Sequence, residues 1–128
     1  MLENKTFEGV NKKPFFSVVI PTYNCAKFLK RSISSVLAQT FQDFELIVVD
    51  NSSTDETGDM LKEINDPRIS VIEVQNNGII AYSRNLGLKR AQGEWVAFLD
   101  ADDVWLSGKL ETIKANIFEN PKVILLCH

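Results

Sequence analysis

Short apolar runs that recur along the chain, with helix-patterned stretches between them, are the feature that most restricts its fold. The runs occupy residues 15–20, 45–49, 69–74, 95–99 and 123–126. Runs of this length are typical of buried strands, and Pro21 ends the first, which favours a strand over a helix. Strands that are apolar on both faces and alternate with helices predict a parallel sheet covered on both sides. The expected fold is therefore α/β, Rossmann-like and doubly wound, with a mainly parallel sheet.

Helical spacing of apolar residues predicts helices between the strands, and polar residues predict where those helices begin. Asn24 is expected to cap the first helix, and Ser53 with Glu56 forms the pattern of a capping box for the second. Ser107 is expected to cap the last helix. A further helix is expected before Gly93, a residue that is typical of a helix end.

The size and charge of the chain restrict the classes of protein to which it can belong. Its 128 residues suit one domain, and 24% charged residues are ordinary for a soluble globular protein. A net charge of −3 gives no basic surface, so nucleic acid is not expected as a partner. No apolar run approaches the ~20 residues needed to span a bilayer. Residues 1–14 are expected to form a polar tail before a domain of residues 15–128, and a cytoplasmic location follows.

Polar segments follow the predicted strands at the place where a doubly wound sheet binds its ligands, outside the carboxyl ends. The segments are PTYN, DNSS, QNNG and DADD after the first to the fourth strand. Asp100 and Asp102 are two residues apart and would point to the same side of an extended chain. Paired carboxylates without sulfur or imidazole nearby suit Mg²⁺ or Mn²⁺. The alternative is that one or more of these aspartates cap the following helix, and Asp103 is expected to be chiefly a structural or capping residue.

Two further charged residues occupy informative positions. Asp50 directly follows the second strand, where it could accept hydrogen bonds from a base or a ribose, or open a turn. Arg84 falls on one helical stripe with Ile80 and Leu88, so it interrupts a face that is expected to be apolar and needs a ligand phosphate or an aspartate as partner. Gly87 is expected to let this helix approach the sheet closely. Because no glycine-rich phosphate loop is present, a nucleotide would be held by carboxylates and a metal.

Four motifs, taken together, resemble the N-terminal half of a family 2 glycosyltransferase with the GT-A fold. They are SVVIPTYN at 17–24, SVLAQTFQDFELIVVDNSSTDET at 35–57, NNGIIAYSRNLGLKRAQGEWVAFLDADD at 76–103 and a tail that begins at Trp105. The resemblance implies a metal-dependent, inverting transfer of a sugar from a nucleotide-diphosphate sugar, by family habit a UDP-sugar. The implied acceptor is a saccharide or a lipid-linked molecule in bacterial surface polysaccharide synthesis.

The resemblance also implies roles for single residues. Thr22 and Asp50 match positions that contact the nucleoside, and Arg84 matches a position that contacts the nucleotide. Asp102 matches the metal ligand of the D-x-D motif, and Asp100 matches a position near the ribose and the metal. The first loop, which belongs to the donor site, is shaped by three more residues, Pro21, Tyr23 and Asn24. The implied cofactor is Mn²⁺ or Mg²⁺, which would act as a Lewis acid on the departing diphosphate.

The family's catalytic base and its acceptor-binding region come well beyond the D-x-D motif and cannot be placed within these 128 residues. The chain is therefore expected to be the donor-binding part of a longer protein and to transfer little or nothing by itself. Peripheral association with the inner face of the cell membrane would come from regions outside it. Two other functions stay open, a non-catalytic glycosyltransferase-like binding module and a nucleotidyltransferase. The lack of glycine in FFSVVIPTYNCAKF counts against the latter.

Overall fold

A computed structural model describes residues 13–75, 79–120 and 122, which form strands and helices in strict alternation. The strands are β1 (Phe16–Thr22), β2 (Phe44–Asp50), β3 (Ile69–Glu73) and β4 (Trp95–Phe98). The helices are α1 (Ala26–Leu37), α2 (Thr57–Glu63), α3 (Ile80–Arg90) and α4 (Lys109–Glu119). The predicted α/β class is confirmed. The predicted fifth strand at 123–126, residues 76–78 of the QNNG segment and residues 1–12 of the polar tail lie outside the described residues.

All strand pairs are parallel, and the order across the sheet is β3-β2-β1-β4. The chain begins at β1, adds β2 and β3 on one side, and then places β4 on the other side of β1. Strand order therefore reverses between β1 and β4. Every residue of β1 is buried, as expected for an inner strand whose two faces and two edges are covered. The prediction of a doubly wound parallel sheet is confirmed.

The strand β1 continues past its predicted end and includes Pro21, which pairs in register with Val49 of β2. On the other side, pairing with β4 stops at Val19, opposite Phe98. Pro21 therefore lies where β1 has an open edge, and a residue without an N–H is tolerated there. Because β1 and β2 run on while β4 has already ended, the carboxyl edge of the sheet is stepped between β1 and β4.

Alternate residues of the central strands face two separate cores, one on each side of the sheet. The larger core contains Phe16, Val18 and Ile20 of β1 packed with apolar residues of α1, α2 and α4. The smaller core contains Val19 of β1 with two residues of β2, and Ala91, the C-cap of α3, packs against it. Helices thus cover both faces, as predicted. Among the described residues, no helix is both long and apolar enough to cross a bilayer.

Helix α3 packs on the sheet through its small residues and not through its apolar stripe. Ser83 and Gly87 are buried, whereas Ile80 and Leu88 are 58% and 50% exposed. A Cβ atom on Gly87 would lie 2.3 Å from Val19 Cγ1, so only glycine permits this approach. The close packing predicted for Gly87 is confirmed, and the expectation that the stripe of Ile80 and Leu88 is buried is wrong.

The predicted helix caps are wrong, and two of the residues chosen as caps, Asn24 and Ser53, form other contacts. Helix α1 begins after Cys25, α2 after Glu56 and α4 after Gly108, and none of these residues forms a side-chain cap. Asn24 instead has a φ of 49°, and its side-chain oxygen accepts a hydrogen bond from the Thr54 amide in the loop after β2. Ser53, in the same loop, accepts a hydrogen bond from the Asn24 amide. These side chains join two loops, and tertiary contacts of this kind override the local capping preference.

Gly93 does not end a helix, since α3 ends at Arg90 with Ala91 as its C-cap. Gly93 lies instead against the start of β1, where an added Cβ would come within 2.7 Å of the Phe16 carbonyl carbon. Its amide donates a 2.8 Å hydrogen bond to Ser17 Oγ. The glycine therefore serves the close approach of two chain segments at the amino end of the sheet, away from the ligand edge.

Candidate functional site

A cavity of about 450 Å³ lies at the carboxyl ends of β1 and β4, where strand order reverses and the sheet edge is stepped. The segments after β1, β2 and β4 surround it together with the first turns of α3. Its lining residues are Pro21, Thr22, Tyr23, Cys25, Asn51, Ile80, Ser83, Arg84, Asp100, Ala101 and Asp102. The lining therefore contains every predicted site residue except Asn24 and Asp50, which directly follow or precede lining residues in sequence.

Three carboxylates meet at one side of this cavity. Asp100, Asp102 and Asp103 are exposed, and one oxygen from each lies within 4.8 Å of the others. Within the described residues this is the one group of three such side chains. The chain here is not extended as expected, because the Asp103 amide donates to the Asp100 carbonyl at 3.0 Å and closes a turn. The turn adds Asp103 to the group and gives it a structural contact, one of the two roles expected for it. The other expected role, capping of a helix, is wrong, since α4 begins only after Gly108.

Arg84 supplies a positive charge beside these carboxylates. Its Nη2 atom donates to Asp100 Oδ1 at 2.9 Å, and its guanidinium carbon lies 6.0 Å from the centre of the Phe98 ring. Its Nε atom is buried and has no hydrogen-bond partner among the described residues. Arg84 thus has an aspartate as partner, one of the two alternatives that the sequence left open, and it retains a donor that a ligand on this side could use.

The ends of β1 and β2 form the back of the site. Thr22 and Asp50 are register partners and are 5% and 3% exposed. Asp50 Oδ1 accepts hydrogen bonds from the amide and the hydroxyl of Ser53, at 3.2 and 2.5 Å. Thr22 Oγ1 is buried without a partner among the described residues. A buried hydroxyl that lacks a partner is costly, so Thr22, which lines the cavity, is a good candidate to bond a ligand.

The loops after β1 and β2 are tied together next to the cavity. Asn24 Oδ1 accepts from the amides of Thr54 and Asp55 at 2.7 and 3.3 Å, and the Asn24 amide donates to Ser53 Oγ at 2.9 Å. Asp55 accepts from the amides of Ala26 and Thr57, the first residues of α1 and α2, at 3.3 and 2.9 Å. A hydrogen bond from the Thr57 side chain is the largest of the contacts that hold the pKa of Asp55 below its usual range.

Several residues of the site were not predicted from the sequence. Cys25 directly follows the PTYN segment and Asn51 lies within the DNSS segment, but neither was assigned a role, and nothing in their chemistry marks them. Ser83 lines it from α3, and its spacing of four from Gly87 was an available signal for the face of the helix that meets the sheet. Asp55 was missed although Ser, Thr and Asp are typical of side-chain-bonded turns.

The arrangement suits a divalent cation and an anion bound side by side. Close carboxylates repel one another unless a positive charge lies between them, and oxygen ligands without sulfur or imidazole favour Mg²⁺ or Mn²⁺. Asp100 and Asp102 line the cavity and fit such an ion, with Asp103 adjacent. Magnesium in proteins is commonly held by one or two carboxylates together with substrate phosphates. Arg84, on the other side of Asp100, is suited to bind those phosphates.

Comparison with protein families gives a match to the model described as "Glycosyl transferase family 2" over residues 17–128. The Bacillus subtilis protein named "Putative teichuronic acid biosynthesis glycosyltransferase TuaG" is 45% identical over 103 residues, or 79% of this chain. The Escherichia coli enzyme WfaP, a UDP-Glc:alpha-D-GlcNAc-diphosphoundecaprenol beta-1,3-glucosyltransferase, is 38% identical over 84% of this chain. The chain spans 41% and 42% of the lengths of these two relatives.

Solved structures of glycosyltransferases are similar to this chain as well. The crystal structure of S. aureus TarS 1-349 in complex with UDP-GlcNAc matches 83% of this chain and 32% of the TarS 1-349 chain, with a TM-score of 0.77 and 36% identity. The mannosyltransferase PcManGT from Pyrobaculum calidifontis, in complex with GDP-Man and Mn²⁺, matches 88% of this chain and 34% of its own, with a TM-score of 0.75 and 27% identity.

Proposed function

The chain belongs to glycosyl transferase family 2, and from that premise we propose that it forms the donor- and metal-binding part of an inverting glycosyltransferase. Its fold is the GT-A type of α/β sheet, as predicted. The observation that carries the proposal is the convergence of Thr22, Arg84 and the paired carboxylates on one cavity at the strand-order reversal. In sheets of this kind that position is where nucleotides bind.

The donor is proposed to be a nucleotide-diphosphate sugar. Thr22 would bond the nucleoside through its unpartnered hydroxyl, while Asp50, held by Ser53, would accept hydrogen bonds from the base or the ribose after a small shift of the cavity lining. Pro21, Tyr23 and Asn24 would shape this part of the site. TarS and WfaP, which take UDP-GlcNAc or UDP-Glc by their titles, support uridine as the base.

The diphosphate is proposed to lie between Arg84 and the carboxylates. Asp102, and with it Asp100, would hold Mn²⁺ or Mg²⁺, and PcManGT, solved with GDP-Man and Mn²⁺, supports this assignment. When bound, the ion supplies a Lewis acid that neutralises charge on the departing diphosphate. Arg84 would share that charge through its guanidinium donors, which suit phosphate oxygens. These residues thereby favour the state in which the sugar–phosphate bond is breaking.

The acceptor is proposed to be a saccharide or a lipid-linked molecule in bacterial surface polysaccharide synthesis. TuaG, by its name, belongs to teichuronic acid biosynthesis, and WfaP acts on a diphosphoundecaprenol-linked sugar. A lipid-linked acceptor would place the reaction at the cytoplasmic face of the cell membrane. We assign no catalytic base to residues 17–128, so transfer would also require sequence of the kind that makes up the rest of these relatives' length.

Titration calorimetry with UDP, GDP and dTDP, each with Mn²⁺ and then with EDTA, tests the proposal. We expect one nucleotide, UDP, to bind with Mn²⁺, and binding to weaken by at least about tenfold with EDTA or in Asp102→Asn, because a bridging charge is removed. The matched control is Asp43→Asn, which makes the same change in charge at an exposed position at the amino end of β2 and should bind as the wild type does.

Two outcomes would count against the proposal. If a folded chain binds none of the three nucleotides with Mn²⁺, the donor site is wrongly assigned. If UDP binds equally well with EDTA and in Asp102→Asn, the nucleotide site stands but its metal does not. Release of pyrophosphate rather than a nucleoside diphosphate during turnover would instead favour a nucleotidyltransferase.

A further inference from the structure

The segment that carries the three carboxylates, here called the carboxylate loop (residues 100–106), is held by polar side chains of α1. We propose that Ser32 of α1 is a positioning residue that fixes this loop so that Asp100 and Asp102 can hold a cation. The inference rests on the proposed function for its chemical meaning. The structural role of Ser32 is separate from donor binding, because Ser32 does not line the cavity and is not among the residues assigned to the donor.

Ser32 is fully buried, and its hydroxyl lies between the two carbonyl groups on either side of Asp102. Ser32 Oγ is 2.8 Å from the Ala101 carbonyl oxygen and also lies within hydrogen-bond distance of the Asp103 carbonyl oxygen. The partners are 69 and 71 residues away in sequence, so these are contacts of the folded state alone. Since a hydroxyl donates one proton, it can serve either carbonyl and keeps both close to α1.

The orientation of Ser32 is not that of an ordinary helix serine. A buried serine within a helix usually bonds the carbonyl four residues earlier, and here Phe28 O is available at 3.3 Å. The Ala101 carbonyl is closer, which indicates that the hydroxyl is directed at the carboxylate loop and not at its own helix. Because Ala101 and Asp103 flank Asp102, their anchored carbonyls restrict the direction in which the Asp102 side chain leaves the main chain.

Two more residues extend this attachment, Ser35 on α1 and Gln39, two residues beyond its C-terminal end. Ser35 Oγ accepts a 3.1 Å hydrogen bond from the Trp105 amide. Gln39 is buried, donates to the Leu106 carbonyl at 2.7 Å, and accepts from the Leu110 amide at 2.9 Å. Side chains of these three residues therefore bond the main chain of the carboxylate loop along its length. Of the three, Ser32 is the one nearest to the carboxylates. Its removal should loosen their mutual geometry and leave the Trp105 end in place.

The test compares Ser32→Ala with Ser34→Ala, which makes the same change at an exposed position of the same helix. We expect Ser32→Ala to weaken Mn²⁺-dependent UDP binding by about tenfold, since buried carbonyls lose their partner and the ligands lose their alignment. Binding measured with EDTA should not change, and the electron paramagnetic resonance spectrum of bound Mn²⁺ should broaden. Ser34→Ala should match the wild type in all three measurements.

Hydrogen exchange gives a readout that needs no nucleotide. In Ser32→Ala the amides of residues 101–104 should exchange faster, while the Trp105 amide, held by Ser35, and those of β1 and β2 should not change. If Ser32→Ala does not fold, Ser32→Cys retains a weak donor of similar size and should show the same changes to a smaller extent. A wild-type chain that binds no nucleotide would refute the proposed function, and hydrogen exchange would still decide whether Ser32 holds the loop.

The inference is wrong if folded Ser32→Ala keeps wild-type exchange at 101–104. It is also wrong if the variant binds Mn²⁺ and UDP as tightly as the wild type, or if binding falls equally with Mn²⁺ and with EDTA. The last result would indicate a general loss of stability and not a loss of carboxylate alignment.

Discussion

At the scale of single residues, the ion pair between Arg84 and Asp100 balances charge where three carboxylates meet. The guanidinium takes one oxygen of Asp100 at 2.9 Å, and both side chains are partly exposed, so the pair by itself contributes little to stability. Under the proposed function its importance is for ligands, because Arg84 would neutralise a bound phosphate and Asp100 would bind a cation. A cation that is coordinated by Asp100 Oδ1 must compete with Arg84 for that atom.

Replacement of Arg84 by alanine should therefore affect two ligands in opposite directions. We expect UDP binding in the presence of Mn²⁺ to weaken by about tenfold or more, and binding of Mn²⁺ alone to strengthen. Calorimetric titrations with Mn²⁺ alone and with Mn²⁺ plus UDP measure both effects. The matched control is Arg68→Ala, which removes another arginine paired with an aspartate at 3.0 Å, before β3 at the opposite edge. Equal losses in the two variants would contradict a specific role for Arg84.

At the scale of elements, the apolar runs predicted the strands well, and the polar residues predicted the helix starts badly. Burial depends on the composition of a whole run, so β2 and β4 were placed to within a residue. A cap depends on one side chain, and Asn24 found better partners in the loop after β2 than in its own helix. Of the three carboxylates in the cluster, Asp100 and Asp102 were predicted as a pair and Asp103 was not. The role of Asp103 depends on a turn that no local pattern in DADD indicated.

Asp55 links the starts of α1 and α2, and its ionisation should make stability depend on pH. Its pKa is lowered from the ordinary value of 3.8, chiefly by the Thr57 hydroxyl, so the carboxylate stabilises the fold above that pH. This contribution is lost as the pH falls through the lower, folded-state pKa. Asp55→Asn should have a lower melting temperature at neutral pH and should lose less than the wild type on acidification.

Thermal unfolding followed by circular dichroism from about pH 7 down to about pH 2 measures this difference across the range in which carboxylates titrate. The control is Asp59→Asn, which removes a carboxylate from the first turn of α2 without touching the Asp55 contacts. Parallel melting curves for Asp55→Asn and the wild type in acid would show that another group causes the acid sensitivity.

At the scale of the whole molecule, two cores of unequal size lie on either side of one sheet. The larger core is sealed by three helices and the smaller one by α3. The apolar period predicted the larger side, where α1 buries Leu29, Ile33 and Val36. It failed for α3, because that helix meets the sheet through Ser83 and Gly87, and small residues carry no apolar signal.

Gly87→Ala should therefore destabilise the fold although alanine is the better helix former. The new Cβ would lie 2.3 Å from Val19 Cγ1 in a packed core, and we expect a cost of about 1–3 kcal/mol in the free energy of unfolding. Gly58→Ala in α2 is the matched control. Its Cβ would meet nothing within 4 Å, and it should stabilise by about 0.5–1 kcal/mol. Urea unfolding measures both, and a stable Gly87→Ala variant would mean that α3 can move off the sheet.

The step at the carboxyl edge, where β1 pairs with β2 as far as Thr22 but with β4 only as far as Val19, has a consequence for redesign. The cavity lies at this step, so its depth depends on the relative lengths of the three strands as well as on the residues that line it. Under the proposed function, Thr22, Tyr23 or Asn51, which line the cavity, would be the positions to exchange in order to change which base is preferred. A change in the length of β4 would fill or widen it at once, so loop grafts in this scaffold should keep the end of that strand unaltered.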